Sequence, residues 1–252
     1  MSSVTALITP KELAEKAISL LEKTGSAKTA QQSEKYFKSH EEIYFYGVSA
    51  PELRELTRAL YAEVKNDWSV TEAAQFCARL ITNRNLEAKA LGILLLARFQ
   101  KSFDKSLFEE AQSWLRKNHC ANWAATDALC IYVLAPLLQQ HSELASEIQK
   151  WAKSKNMWLQ RASAVSLVPL ARKGYCLDAA YQIVEQLFGN KENLIHKATG
   201  WLLREAGKTD PTRLQSFLLK HGSSIPRTTI RYAIERFAPG KRKEILNKTK
   251  AR

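Results

Sequence analysis

Little in this chain of 252 residues marks any structure but helix. Nine glycines and seven prolines leave few turn signals. β-rich windows are scarce, and apolar residues recur at spacings of three and four, so the expectation is an all-α fold. No apolar run approaches the roughly 20 residues a membrane helix needs, which predicts a soluble protein with no membrane partner. Met1 to Pro10 holds no basic segment followed by an apolar stretch, so the protein is expected to stay inside the cell, in the cytoplasm. Cys77, Cys120, Cys130 and Cys176 lie scattered, with no Cys-x-x-Cys spacing, and the five histidines form no ligand pattern. Four buried, reduced thiols, no metal and no cofactor are expected. A Gly-rich phosphate loop and a Gly-x-Ser-x-Gly turn are both missing.

Positive charge is abundant. The net charge is +13, from 38 basic and 25 acidic residues. From His196 to Arg252 there are 14 Lys and Arg against 4 Asp and Glu, so +10 of the +13 falls in the last 57 residues. Such a bias is the footprint of a protein that binds nucleic acid or another anionic surface, and a solvated basic face would read the same way. The end, residues 245–252, reads as a flexible basic tail.

A helix-sized unit recurs five times, each marked by one residue followed by alanine and an apolar stretch. The markers are Lys89-Ala90, Asp127-Ala128, Arg161-Ala162, Lys197-Ala198 and Tyr232-Ala233, at intervals of 38, 34, 36 and 35 residues. A near-constant period predicts a stacked repeat protein, an α-solenoid of HEAT-like helix pairs forming one domain over 1–252. Helix starts are predicted at three sites with a capping hydroxyl three residues before a glutamate: Thr9 with Glu12, Ser49 with Glu52, and Ser69 with Glu72. Three of the five marker slots are cationic, which suggests a concave basic face lined by Lys89, Arg161 and Lys197.

Asp127 is the only acid in those slots, and Trp123 lies one helical turn before it. Two other marker helices pair tryptophan with charge: Trp158 with Arg161, and Trp201 with Lys197 and Arg204. Each pair shares one helix face. Taken singly, each tryptophan reads as core. Their recurrence reads as a groove where cations hold phosphates and rings press on sugars or bases. Asp127 could neutralise a neighbouring cation, or it could serve chemistry that develops positive charge beside a nucleic-acid backbone. Cleavage of an N-glycosidic bond does so, because the sugar passes through an oxocarbenium-like state. A carboxylate about 4 Å from that cation, at an effective dielectric near 20, supplies about 4 kcal/mol, roughly a thousandfold in rate.

At these residues the chain resembles the AlkD-type DNA alkylpurine glycosylases, which are built from HEAT-like repeats. The resemblance runs from about Lys35 to about Phe237. It is strongest at Asn156-Met157-Trp158-Leu159-Gln160-Arg161-Ala162 and from Ile195 to Glu205, and Trp123-Ala124-Ala125-Thr126-Asp127 matches the family's Trp-x-x-x-Asp segment. It implies that Asp127 is the catalytic carboxylate, that Trp123 and Trp201 are the paired active-site tryptophans, and that Arg161 and Arg204 contact the DNA backbone. Lys35-Tyr36-Phe37-Lys38 is similar to the family's entry helix, with Tyr36 matching a tyrosine there.

The implied activity is hydrolysis of the bond between deoxyribose and a cationic alkylated purine, such as 7-methylguanine or 3-methyladenine, in double-stranded DNA. The implied enzyme is monofunctional and monomeric, is associated with the nucleoid when bound, and does not draw the base into a pocket. A cationic base leaves readily, which agrees with the lack of a strong general acid. Three departures bear on substrate choice: Ser49 stands where well-known members have glutamine, Ala124 stands where the model member has an acid, and the link to Gly47-Val48 is about two residues longer. The alternative reading is a HEAT-repeat DNA-binding protein without chemistry, which recognises bent, branched or damaged DNA. A protein-interaction scaffold is a third.

Overall fold

The computed structural model describes residues 7–37 and 43–250. These residues form an all-α fold, and their only β contact is an isolated bridge between Tyr44 and Asn85. The chain divides into two compact units, Met1–Val133 and Leu134–Arg252.

Unit 1 contains α1 (Pro10–Thr24), α2 (Ala27–Glu34), α3 (Ala50–Val64), α4 (Val70–Leu80), α5 (Leu86–Leu96), a 3₁₀ turn at Ala97–Ser102, α6 (Lys105–Arg116) and α7 (Trp123–Leu129). The three expected capping boxes start α1, α3 and α4. In each, the glutamate takes the cap residue's own N–H at 2.8 Å. The centre of the unit is α5, which is buried nearly all round and packs on α1, α3, α4 and α7. Gly92 brings α4 close, since a Cβ there would meet the Leu80 Cβ at 3.1 Å.

Unit 2 contains α8 (Ala135–Gln140), α9 (Leu144–Trp151), α10 (Met157–Val165), α11 (Val168–Ala171), α12 (Leu177–Gln186), α13 (Asn193–Ala206), α14 (Pro211–His221), α15 (Arg227–Ala233) and α16 (Pro239–Lys248). Its centre is α13, which packs on α10, α11, α12, α14 and α15. It comes close to α15 at Gly200, where a Cβ would lie 2.5 Å from the Tyr232 Cβ and 2.7 Å from the Thr229 carbonyl oxygen. Only glycine fits there.

Several helices are shorter than the apolar pattern suggests. Pro136 and Pro169 each open a new short helix, α8 and α11, because proline has no N–H to continue a preceding ladder. Between α7 and α8 lies a π-helical turn, Cys130–Leu134. All five repeat markers fall on helices: α5, α7, α10, α13 and α15. Within unit 1, α5 packs on α7, and within unit 2, α10 packs on α13 and α13 on α15. Successive marker helices are therefore neighbours inside each unit.

The expected flexible tail from 245 is held through residue 250. Ile245 and Thr249 are fully buried, and Arg227 donates to the Leu246 carbonyl and to the Thr249 hydroxyl at 3.1 and 3.0 Å. The apolar Ile245 anchors α16, which the run of lysines around it hides in the sequence.

Candidate functional site

In unit 1 the site grows from α5. Glu87 and Lys89, both buried, act in two directions. The Glu87 carboxylate accepts from the N–H groups of Tyr46, Gly47 and Val48 at 3.2, 2.9 and 3.3 Å. That fixes a segment whose Gly47 has a φ of +82° and leaves no room for a Cβ beside the Ser26 carbonyl. Phe45 precedes it and packs on Phe37, centroids 5.5 Å apart. Phe37 in turn stacks on Trp123 at 5.2 Å and 19°. One face of the Trp123 ring is thus backed by an aromatic pair that α5 holds in place. Tyr36, beside Phe37 and just past the end of α2, is 77% exposed. Lys38 lies outside the described residues.

Lys89 works on the other side. Its Nζ donates to the Ile81 carbonyl at 2.6 Å and to the His119 carbonyl at 2.7 Å, which ties the end of α4 to the loop before α7. In that loop Asn118 takes a φ of +60°, the Asn122 side chain caps the Ala125 N–H at 2.8 Å, and the Thr126 hydroxyl donates to the Cys120 carbonyl at 2.7 Å. Trp123 is the first residue of the helix so fixed, and half-buried Asp127 comes one turn later. Burial pushes the Lys89 ammonium below its usual value. Burial, then Lys89 and Lys117, push the His119 imidazole below its usual value. Burial also raises the Cys120 thiol to about 12, which leaves it unreactive at neutral pH.

In unit 2, Asn156 caps α10 through the N–H groups of Trp158 and Leu159, and Trp158 is half-buried. Arg161 is 5% exposed and donates to the Leu194 carbonyl at the start of α13. Lys197 is exposed on α13, and Trp201 is half-buried one turn later. Arg204 pairs with Glu235 and, at 3.4 Å, with Glu205. Glu205, 2% exposed, also takes Arg172 at 2.7 Å and Lys208 at 2.5 Å. Burial pulls its carboxyl up, but the bonds from Lys208 and Arg172 outweigh this and hold it below the usual glutamate range.

The marker slots are not one row of open cations. Lys89 and Arg161 are internal ties whose donors reach backbone carbonyls, so neither presents a free charge, and Lys197 alone among the basic slots is exposed. A cation beside alanine in a repeat reads the same whether its long stem leads outward or into the next helix. Sequence reasoning passed over Glu87, Phe37 and Phe45 as site-forming residues. Glycine two residues after an aromatic and a glutamate opening an apolar helix were the available signals. Among the described residues no three His, Cys, Asp or Glu gather as a metal site requires. No described helix is long and apolar enough to cross a membrane.

Comparison with known proteins adds a family. The family model described as DNA alkylation repair enzyme matches residues 17–237. A solved structure, a predicted DNA alkylation repair enzyme from Enterococcus faecalis, superposes with a TM-score of 0.75 at 19% identity, over 86% of this chain and 98% of that one. The two share a fold. No curated protein matches the chain.

Proposed function

The chain belongs to the DNA alkylation repair enzyme family, and from that premise we propose that it is a monofunctional DNA glycosylase that releases cationic alkylated purines from duplex DNA. The observation that carries the reading is the placement of Asp127: a half-buried carboxylate one turn after a tryptophan that is itself stacked on Phe37, on a helix whose start is fixed by Lys89, Asn122 and Thr126. A carboxylate held in this way needs little reorganisation when positive charge develops on a deoxyribose, and it can orient the attacking water. Trp123 packs against the sugar of the damaged nucleotide. The family resemblance gives Trp201 the matching role, with Lys197 and Arg204 of the same helix on the backbone. HEAT-like stacking of the marker helices is part of this reading. The purine's own positive charge makes it a good leaving group, so 7-methylguanine and 3-methyladenine are the expected substrates, and no pocket for an extruded base is required.

The test is incubation of wild type and Asp127→Asn with duplex DNA carrying 7-methylguanine, with released base followed by chromatography. Release by wild type, loss in the variant and retained DNA affinity are expected, with no strand cleavage and no borohydride-trapped adduct. If neither 7-methylguanine nor 3-methyladenine is released while binding stays tight, the protein is a DNA-binding module without chemistry.

A further inference from the structure

Unit 1 carries a cavity of about 240 Å³ lined by Arg54, Thr57, Arg58, Leu94, Arg98 and Tyr132. Three guanidinium groups face it and no carboxylate lines it. Arg54 and Arg58 sit four apart on α3, where like charges on one helix face repel unless an anion lies between them. Arg58 has Glu55 three residues before it, yet none of the three arginines forms an ion pair with a described residue. Arg98 is positioned from behind, its guanidinium lying over the Tyr61 ring at 5.0 Å, and Tyr61 is set edge-on by Phe99 at 5.4 Å. The Thr57 hydroxyl donates inward to the Leu53 carbonyl at 2.7 Å, so it does not compete for a ligand.

Tyr132, 40% exposed, closes the cavity from the π-helical turn just beyond Asp127. A π turn adds a residue to the helical cycle and so re-aims the side chains after it, and such turns concentrate at functional sites. The cavity is smaller than the roughly 300 Å³ at which sites for drug-sized ligands begin, so it suits one small anionic group rather than a whole nucleoside.

We propose that this cavity is a phosphodiester site, in which Arg54, Arg58 and Arg98 hold one backbone phosphate of the DNA strand and Tyr132 lies against the adjoining sugar. The chemistry fits. Planar guanidinium forks match phosphate oxygens bidentately, and an aromatic ring beside them accepts any nucleotide. The site rests on the reading of the protein as a DNA enzyme, but it provides register on the strand, not catalysis.

The test uses full-length wild type, Arg58→Gln, Arg98→Gln and the double variant Arg54→Gln/Arg58→Gln, each first checked for an unchanged far-UV spectrum and unfolding midpoint. Undamaged duplex is titrated from low to moderate salt, and inorganic phosphate is titrated separately. The expected result is a fall in duplex affinity of roughly threefold to tenfold per arginine, with the logarithmic salt slope reduced by about 0.9 in the double variant, the share of one phosphate, and by less in each single variant. Arg58→Lys should recover the slope but not all of the affinity, because lysine keeps the charge and loses the fork. Duplex affinity and slope equal to wild type would overturn the proposal. So would loss of inorganic phosphate binding with duplex affinity intact, since that would assign the cavity to a free phosphate ligand. If wild type binds duplex but releases no alkylated base while these variants lose affinity, the glycosylase reading fails and the phosphate site stands. If wild type releases base and the variants bind as tightly as it does, only the phosphate site fails.

Discussion

Seven arginines, four in unit 2 and three in unit 1, meet different fates. In unit 2, Arg172 and Arg204 converge on the buried carboxylate of Glu205, Arg204 also pairs with Glu235, and Arg213 pairs with Asp178 at 2.6 Å. Arg227 is tied to the end of α16. In unit 1, Arg54, Arg58 and Arg98 face a cavity that no carboxylate lines. The last 57 residues hold most of the net charge, yet all four of their acids are engaged: Glu205, Glu235 and Glu244 pair with cations, and Asp210 caps α14. A count of charge along the chain therefore points to unit 2, whereas the three arginines gathered at a cavity without a carboxylate lie in unit 1. Attraction for a polyanion at short range favours such a cluster, because a paired arginine must lose its partner before it can serve a phosphate.

The largest expected effect concerns the one acid assigned to chemistry. Asp127→Asn should lower single-turnover base release by about a thousandfold, equivalent to about 4 kcal/mol, and leave duplex affinity equal or higher. Next is Glu205→Ala, which leaves three cations around a buried void. Its unfolding free energy should fall by about 3 kcal/mol by denaturant titration, at the low end for a broken buried pair because the tips of Arg172 and Lys208 reach solvent. Because the folded carboxyl lies below the usual range near 4.5, its contribution is fully present above that range and is lost as pH falls through the lowered value, so wild type and variant should converge in acid. The same variant releases arginines, and a rise in duplex affinity would sharpen the contrast between the units. Lys89→Met is smaller: two carbonyls lose their donor, for about 2 kcal/mol of stability, with the DNA salt slope unchanged because that charge is already internal.

Much of the fold is legible in the residues themselves. Capping boxes at Thr9, Ser49 and Ser69 rest on contacts three residues apart, so the sequence alone places α1, α3 and α4. The repeat markers locate five helices because alanine and apolar spacing report burial locally. The features that escape a sequence reading depend on contacts far apart in the chain. Glu87 meets Tyr46 to Val48 some 40 residues away, and Lys89 meets His119 30 residues away. Whether a slot lysine points to solvent or to the next helix is decided there. The π turn is hidden for another reason, since Cys130 to Leu134 reads as ordinary helix until Pro136 interrupts it. The alternation of tryptophan and charge does place Trp123 and Asp127 on one helix, but the aromatic pair behind Trp123 comes from a segment with no helical period to read.

The smallest effect tests the contrast at its weakest pair. Asp178 is 83% exposed on its side chain and Arg213 38%, so their ion pair is worth well under 1 kcal/mol, and Asp178→Asn should shift unfolding by about 0.5 kcal/mol or less. Arg213 has a second hold, its guanidinium lying 4.5 Å over the ring of buried Tyr181. That cation–π contact survives the substitution and keeps the side chain against α12. Duplex affinity and salt slope should therefore stay at the wild-type values, unlike those of the Arg58 and Arg98 variants. A slope steeper by about 0.9 would mean that one exposed aspartate is all that keeps Arg213 from a phosphate, and the difference between the units would then reduce to where a few surface acids happen to sit.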